Sequence, residues 1–370
     1  MHSIHALLET SLELRASDLI LKAGSPPVLR IDGKITPTKL PVITVEEARE
    51  LAYEILCSSC RDRMLHQITD LDDTADLMRQ LDKQQELDVV FTIPGRMRVR
   101  ANLFLERGTI GACLRMIRLR PATLEELNLP SVLKRFALEP HGLIIITGPT
   151  GSGKTTTMTA LIEEINRNRQ ANIFTVEDPI EYLYEDKKSV IHQREVGHDT
   201  QSFATALRSV MRQAPDVIAI GELRDKETIE VALSASETGH LVITTLHTPS
   251  SATTLDRIVN YFPNHLKEQI CQQLSSSLLC ITSQRLLPHA SGKGRIPALE
   301  LLVNSPTVRK HLEEGHTNDL YATMRDGAHF GMNTINQALV ALYESKAITF
   351  EDAIRSAGNA AELRQTLRQQ

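Results

Sequence analysis

The sequence predicts an α/β chain of two domains, a mixed α/β first part and a second part built on a parallel sheet. Three observations carry this reading. The 370 residues set a soft expectation of two domains. From Ser131 onward short apolar runs alternate with helical stretches, the pattern of a parallel sheet covered on both faces. Finally, LIIITGPTGSGKTTTM (residues 143–158) sets the pattern G-x-x-x-x-G-K-[ST] between an apolar strand and a helix.

Composition bounds the function. Apolar residues make up 41% and charged residues 24%, with a formal net charge of -5. Ordinary cores are therefore expected, and a general nucleic-acid binder is not; such a site would need a local basic patch. No apolar run approaches the roughly 18 residues that cross a bilayer. The opening MHSIHALLETSLELRASD lacks the basic and apolar regions of a signal peptide. The expected compartment is the cytoplasm. Among the cysteines Cys57, Cys60, Cys113, Cys271 and Cys280, only the first two form C-x-x-C, and no second pair or matched histidines complete a zinc set. Reduced thiols are expected, with a redox role left open.

Taken in order, PPVLRIDGKIT reads as a hairpin turning at Asp32-Gly33. Thr44 and Glu47 make a capping box before ARELAYEIL. Residues 70–88 carry seven acidic and two basic side chains with leucines at intervals, a solvated helical excursion. LDVVFTI, RMRVRANLFLE and GACLRMIRL read as successive strands. The first domain is expected over residues 1–117, a linker over 118–130 with two prolines, and the second domain over 131–370. In the second, helix SVLKRFAL precedes strand GLIIITG, the glycine-rich loop and helix KTTTMTALIEEINRN. Strand NIFTVED, helix FATALRSVMRQ, strand DVIAIGE, helix KETIEVALSASE and strand HLVITTL follow. From Ser251 the chain reads as almost entirely helical except for RIPALELLV.

The loop supplies the chemistry. Gly148, Gly151 and Gly153 let backbone N–H groups turn toward phosphate oxygens, and the helix starting near Lys154 adds its positive end. Lys154 is expected on the β- and γ-phosphates, and the Thr155 hydroxyl on Mg²⁺. Glu177, Asp178 and Glu181 follow a strand, where they either face the metal and the attacking water or merely cap the strand end. DVIAIGELRD delivers Glu222 beside the loop, suited to orient or deprotonate the lytic water. His240 and His247 bracket another strand and read as structural when taken alone. Arg96, Arg98 and Arg100 share a strand face by alternation, and Arg115 follows on a later strand. They form either a solvated face or arginines that meet a neighbouring subunit's phosphates.

The loop, VEDPIE, IGELRD and TGHLVITTLHT, in that order, resemble the secretion ATPase superfamily. ASDLILKAGSPPVLRIDGKI, HQREVGHDTQSFATALRSVMRQAPD, QLSSSLLCITSQRLL and GMNTINQAL extend the similarity over nearly the whole chain. The nearest resemblance is to the PilT/PilU group of type IV pilus retraction motors. It implies a PAS-like α+β N-terminal domain and a RecA-like P-loop domain with C-terminal helices. It further implies a homo-hexamer, with ATP and Mg²⁺ as ligands. It places Gly148, Pro149, Thr150, Gly151, Ser152, Gly153, Lys154, Thr155 and Thr156 on the nucleotide. Thr155, Glu177, Asp178 and Glu222 fall to the metal, and Glu222, Glu177, Lys154, His247, Arg96, Arg98 and Arg115 to catalysis. A cytoplasmic motor working at an inner-membrane pilus platform protein is the implied function, with a second retraction motor paralogue as a further partner and no nucleic acid.

There are departures. The group's retraction-linked motif, roughly A-I-R-N-L-I-R-E, is matched by TVRKHLEE (residues 307–314), which keeps Arg309 and Glu314 but has Glu313 for the second arginine. Ala214 and Asn336 stand where acidic residues are expected. The tetra-cysteine motif of pilus assembly and type II secretion ATPases is missing, which argues against those paralogues. A nucleotide-binding adaptor of another motor ring is opposed by the presence of Lys154 and Glu222. A nucleic-acid translocase would need a basic pore stripe, and none is assignable.

Overall fold

The computed structural model describes residues 2–65, 73–118 and 120–368. Two compact units emerge, one of residues 1–120 with 181–183, the other of residues 121–180 with 184–370.

The first unit runs α1 (Ile4–Glu13), β1 (Asp18–Leu21), β2 (Val28–Ile31), β3 (Lys34–Pro37), α2 (Val45–Leu65), α3 (Thr74–Gln84), β4 (Glu86–Ile93), β5 (Met97–Glu106) and β6 (Thr109–Arg118). Its sheet has the order β3-β2-β1-β6-β5-β4, antiparallel throughout. Ile31 pairs with Lys34, so Asp32 and Gly33 are the whole turn, with φ of 49° and 83°. Positive φ at both positions gives the twist that a two-residue hairpin needs. At the start of α2, Glu47 N donates to Thr44 Oγ1 at 3.2 Å, and Thr44 N to Glu47 Oε2 at 3.5 Å. Ala48, Leu51, Ala52, Ile55 and Leu56 are buried at helical spacing, so α2 covers the sheet.

Two expectations are corrected here. Arg96 is not on a strand. Ile93 pairs with Met97 across a three-residue turn, and Arg96 is exposed in it, its N–H donating to Ile93 O at 3.0 Å. Only Arg98 and Arg100 share the face opposite the buried Met97, Val99 and Ala101. The acidic excursion is not wholly solvated either. Residues 70–72 lie outside the described residues, but α3 buries Leu77 and Leu81 and exposes Arg79, Asp82 and Lys83. Asp73 caps it by accepting from Asp76 N at 2.8 Å. The charges mark the outer face of an amphipathic helix.

The second unit runs α4 (Val132–Ala137), β7 (Gly142–Thr147), α5 (Lys154–Asn168), β8 (Asn172–Glu177), β9 (Val190–Glu195), α6 (Phe203–Val210), β10 (Val217–Ile220), α7 (Lys226–Glu237) and β11 (Leu241–Thr245). Then come α8 (Ser251–Asn260), α9 (Asn264–Ser277), β12 (Leu278–Pro288), β13 (Arg295–Val303), α10 (Pro306–Glu313), α11 (Leu320–Asp326), α12 (Ile335–Glu344), α13 (Phe350–Arg355) and α14 (Ala360–Arg368). The sheet order is β13-β12-β7-β11-β10-β8-β9, parallel except for the β12–β13 pair. β7, β10 and β11 are buried along their whole length, as a sheet covered on both faces requires.

β9 and β12 were not expected from the sequence. β12 begins at Leu278, the residue that caps α9, with no Gly or Pro to punctuate the change from helix to strand. β9 is an edge strand rich in polar residues, so it lacks an apolar run. Residues 121–130 are also packed rather than free: Leu124 and Leu129 enter the second unit's core, and Glu126 N donates to Thr123 Oγ1 at 3.2 Å. The boundary between units falls after Arg120. Near the C-terminus, Asn336 Nδ2 donates to Asn359 O at 3.0 Å and Glu362 Oε2 at 3.2 Å, while its Oδ1 accepts from Gly358 N at 3.0 Å. An ionised acid in this buried position has no proton to donate, which accounts for the amide.

Candidate active site

β7 ends at Thr147, whose hydroxyl donates to Leu246 O (3.2 Å) and Thr248 O (2.9 Å) just beyond β11. This ties the entry of the phosphate loop to the neighbouring strand end. The loop then turns through Gly148 (φ 140°) and Gly153 (φ 90°), which precedes the first residue of α5. A Cβ on Gly148 would lie 2.3 Å from Gln284 O, and one on Gly153 2.8 Å from Gln284 Nε2. Both glycines are therefore required by the close approach of β12. The buried Gln284 accepts from Thr157 Oγ1 at 2.7 Å and donates to Ser152 O at 2.7 Å. It clamps the loop to α5.

Pro149, Thr150 and Gly151 form the exposed rim; Thr155 and Thr156 stand half-buried in the first turn of α5. Lys154 is 7% exposed. Its Nζ donates to Gly148 O (3.0 Å) and Pro149 O (3.1 Å) and lies 3.2 Å from His247 Nδ1. Burial pushes its pKa below the ordinary lysine value. His247 Nε2 is 3.2 Å from Glu222 Oε2. Burial and the Lys154 ammonium both lower the imidazole's pKa, so the ring favours the neutral form. With an ammonium facing Nδ1, that nitrogen accepts, and Nε2–H donates to Glu222.

Arg224 joins the next two carboxylates. It pairs closely with Glu222, and its Nη1 donates to Asp178 Oδ2 at 3.1 Å. Glu177 is buried and accepts from Thr175 Oγ1 (2.6 Å) and Gln193 Nε2 (3.2 Å). The chain Lys154–His247–Glu222–Arg224–Asp178 thus lies across the carboxyl ends of neighbouring parallel strands, where open α/β sheets bind ligands. Asp216 and His240 lie at the opposite strand ends. Asp216 Oδ2 accepts from Asn172 N at 2.8 Å, and His240 Nδ1 is 3.0 Å from Ala235 O, where α7 ends.

The predicted arginines belong to the first unit. Arg98 lies on β5 opposite Thr92 and Ile117. Arg115 pairs with Asp18, Nε to Oδ1 at 3.0 Å, and sits directly across from Arg100. Arg224, Gln284, Thr157 and Gln193 were missed by the sequence reading. Arg224 was visible only as a letter of IGELRD, and Gln284 sat in an unrecognised strand.

The donor set fits a polyphosphate. Ser152 Oγ is buried without a partner, and the Lys154 ammonium is held by carbonyls of its own loop.

A family model described as type II/IV secretion system protein matches residues 113–370. The type IV pilus retraction ATPase PilT of Pseudomonas aeruginosa is 39% identical over 350 residues, covering 95% of this chain and 96% of that protein. The type IV pilus ATPase PilU of the same organism is 37% identical, covering 97% and 89%. A crystal structure of the pilus retraction motor PilT with bound ADP superposes with a TM-score of 0.84 at 41% identity, covering 99% of this chain and all of that one. The chain therefore belongs to the type II/IV secretion system protein family, within its PilT/PilU group of ATPases.

Proposed function

We propose that this ATPase is the motor of type IV pilus retraction, and so of twitching motility, working as a homo-hexamer on the cytoplasmic face of an inner-membrane pilus platform. The observation that carries the reading is the Lys154–His247–Glu222–Arg224 chain set against the phosphate loop. Lys154 is poised to leave its loop carbonyls for β- and γ-phosphate oxygens. Backbone N–H groups of the loop, Pro149 excepted, would face the same anion. Mg²⁺, held by Thr155 with Glu177, Asp178 and Glu222 as its acidic surroundings, would neutralise charge on the phosphate oxygens. Glu222 is the base for the attacking water, and His247 orients it through Nε2–H. Arg224 restrains Glu222 and Asp178 until the phosphates of an incoming nucleotide compete for its guanidinium.

Two variants test the site. Lys154→Ala should abolish nucleotide binding, whereas Glu222→Gln should bind nucleotide and lose turnover by about a hundredfold or more. Wild-type turnover in Glu222→Gln would transfer the role to Glu177. The cellular function is tested by deleting the gene and scoring twitching. A second reading, a motor that acts alongside another retraction paralogue, is favoured by Glu313, which reverses one charge in the retraction-linked segment. Twitching that this chain drives only in a cell that also carries the second paralogue would support it.

A further inference from the structure

Beyond the nucleotide site, the end of α10 gathers three side chains of a different chemistry. His311, Glu314 and His316 occur in HLEEGH. Gly315 takes a φ of 72° and folds the chain back, so that His316 N donates to His311 O at 2.8 Å. One candidate ligand atom from each of the three residues lies within 4.8 Å of the other two. His316 Nδ1 is 3.3 Å from Glu314 Oε2, and His311 Nδ1 is buried without a hydrogen-bond partner.

We propose that His311, Glu314 and His316 form a binding site for a divalent zinc-class ion. Two imidazoles and one carboxylate are a ligand set that zinc takes with a fourth position left open. Mg²⁺ and Ca²⁺ prefer oxygen ligands and would not select it. All three ligands come from six consecutive residues, so little loop entropy is lost in closing the site. A tetrahedral ion needs its ligands about 3.4 Å apart, from bond lengths near 2.1 Å. Glu314 and His316 are exposed enough to rotate by that much. The position helps as well: the carbonyl end of a helix attracts a cation. The competing partner of Glu314 is Lys310, at 3.8 Å on a solvated surface, where such a pair is weak. A bound ion would neutralise Glu314 and fix the last turn of α10. The site is independent of the retraction reading.

The test uses the full chain stripped of metal and titrated with ZnCl₂ by calorimetry, with MgCl₂ as control and Co²⁺ absorption as a second probe. One Zn²⁺ per chain should bind, with the visible bands of four-coordinate Co²⁺, and Mg²⁺ should not compete. His316→Ala and His311→Ala should each weaken this binding at least about tenfold, the lower bound seen for loss of even an outer-shell partner. His316 is exposed, so its variant should keep the wild-type circular dichroism and metal-free melting temperature, which separates ligand loss from misfolding. Unchanged affinity and stoichiometry in His316→Ala would place the ion on other histidines or cysteines and overturn the proposal. So would a wild-type chain that binds no Zn²⁺.

Discussion

Arg224 neutralises two carboxylates at the spot proposed here for a triphosphate and its metal. Losing it would leave Glu222 and Asp178 as bare negative charges beside an incoming polyanion. Arg224→Ala should therefore raise the KM for MgATP and lower the free Mg²⁺ needed for half-maximal activity, because the ion gains unpaired carboxylates. An unchanged Mg²⁺ titration would show the contact to be incidental. Gln284 works from the other side. Gln284→Ala leaves the buried Thr157 hydroxyl and Ser152 carbonyl unpaired, a loss of about 1–3 kcal/mol. Thermal melting should register it, and nucleotide affinity should fall because the loop is less ordered. Gly148 and Lys154 were legible in the sequence because phosphate binding fixes their local spacing, and Glu222 because it follows a short apolar strand run. Gln284 was not, because its role depends on contacts 127 and 132 residues away along the chain.

At the scale of elements, the segment between β8 and β9 is fastened to α5 through one buried carboxylate. Glu163 is 2% exposed; it accepts from Arg167 Nε at 2.6 Å and pairs closely with Lys187. Asn166 adds to the fastening, donating to Glu185 O at 2.8 Å and accepting from Lys187 N at 3.0 Å. Burial raises the pKa of Glu163, but Lys187 and Arg167 outweigh it, so the net shift is downward from 4.5. A carboxylate with a depressed folded pKa contributes stability above its unfolded value and loses it as pH falls through the folded one. Glu163→Gln should thus cost about 1–2 kcal/mol near neutral pH, discounted because both cations are partly exposed. The gap to wild type should close as pH drops below about 4.5. A pH-independent gap would assign the loss to packing. No spacing in the sequence announced this tie, since α5 and the segment it holds are separate readings. Alternation of strand and helix was legible at β7, β8, β10 and β11 because each of these strands is apolar on both faces. It failed at β9, whose exposed edge keeps polar residues, and at β12, which starts where α9 stops.

Across the whole molecule, the residues proposed for catalysis are divided between the two units. The phosphate loop, Glu222 and His247 belong to the second; Arg98 and Arg115 belong to the first. A closed ring of identical subunits lets one chain's arginines complete a neighbour's site, as arginine fingers do in trans. Under the hexamer proposed here, specific ATPase activity should rise with protein concentration until rings are saturated. Arg98→Ala with Arg115→Ala, and Lys154→Ala, should each be inactive alone. Their mixture should not be. In mixed rings, some interfaces pair a wild-type loop from the first variant with wild-type arginines from the second. With random mixing, one interface in about four is complete, so roughly a quarter of wild-type turnover is the ceiling. Sequential coupling between subunits would lower it further. The measurement is steady-state phosphate release across a mixing series, and partial recovery that peaks near equal proportions is the expected result. Activity that is independent of concentration, with no recovery at any ratio, would return the whole catalytic set to a single chain.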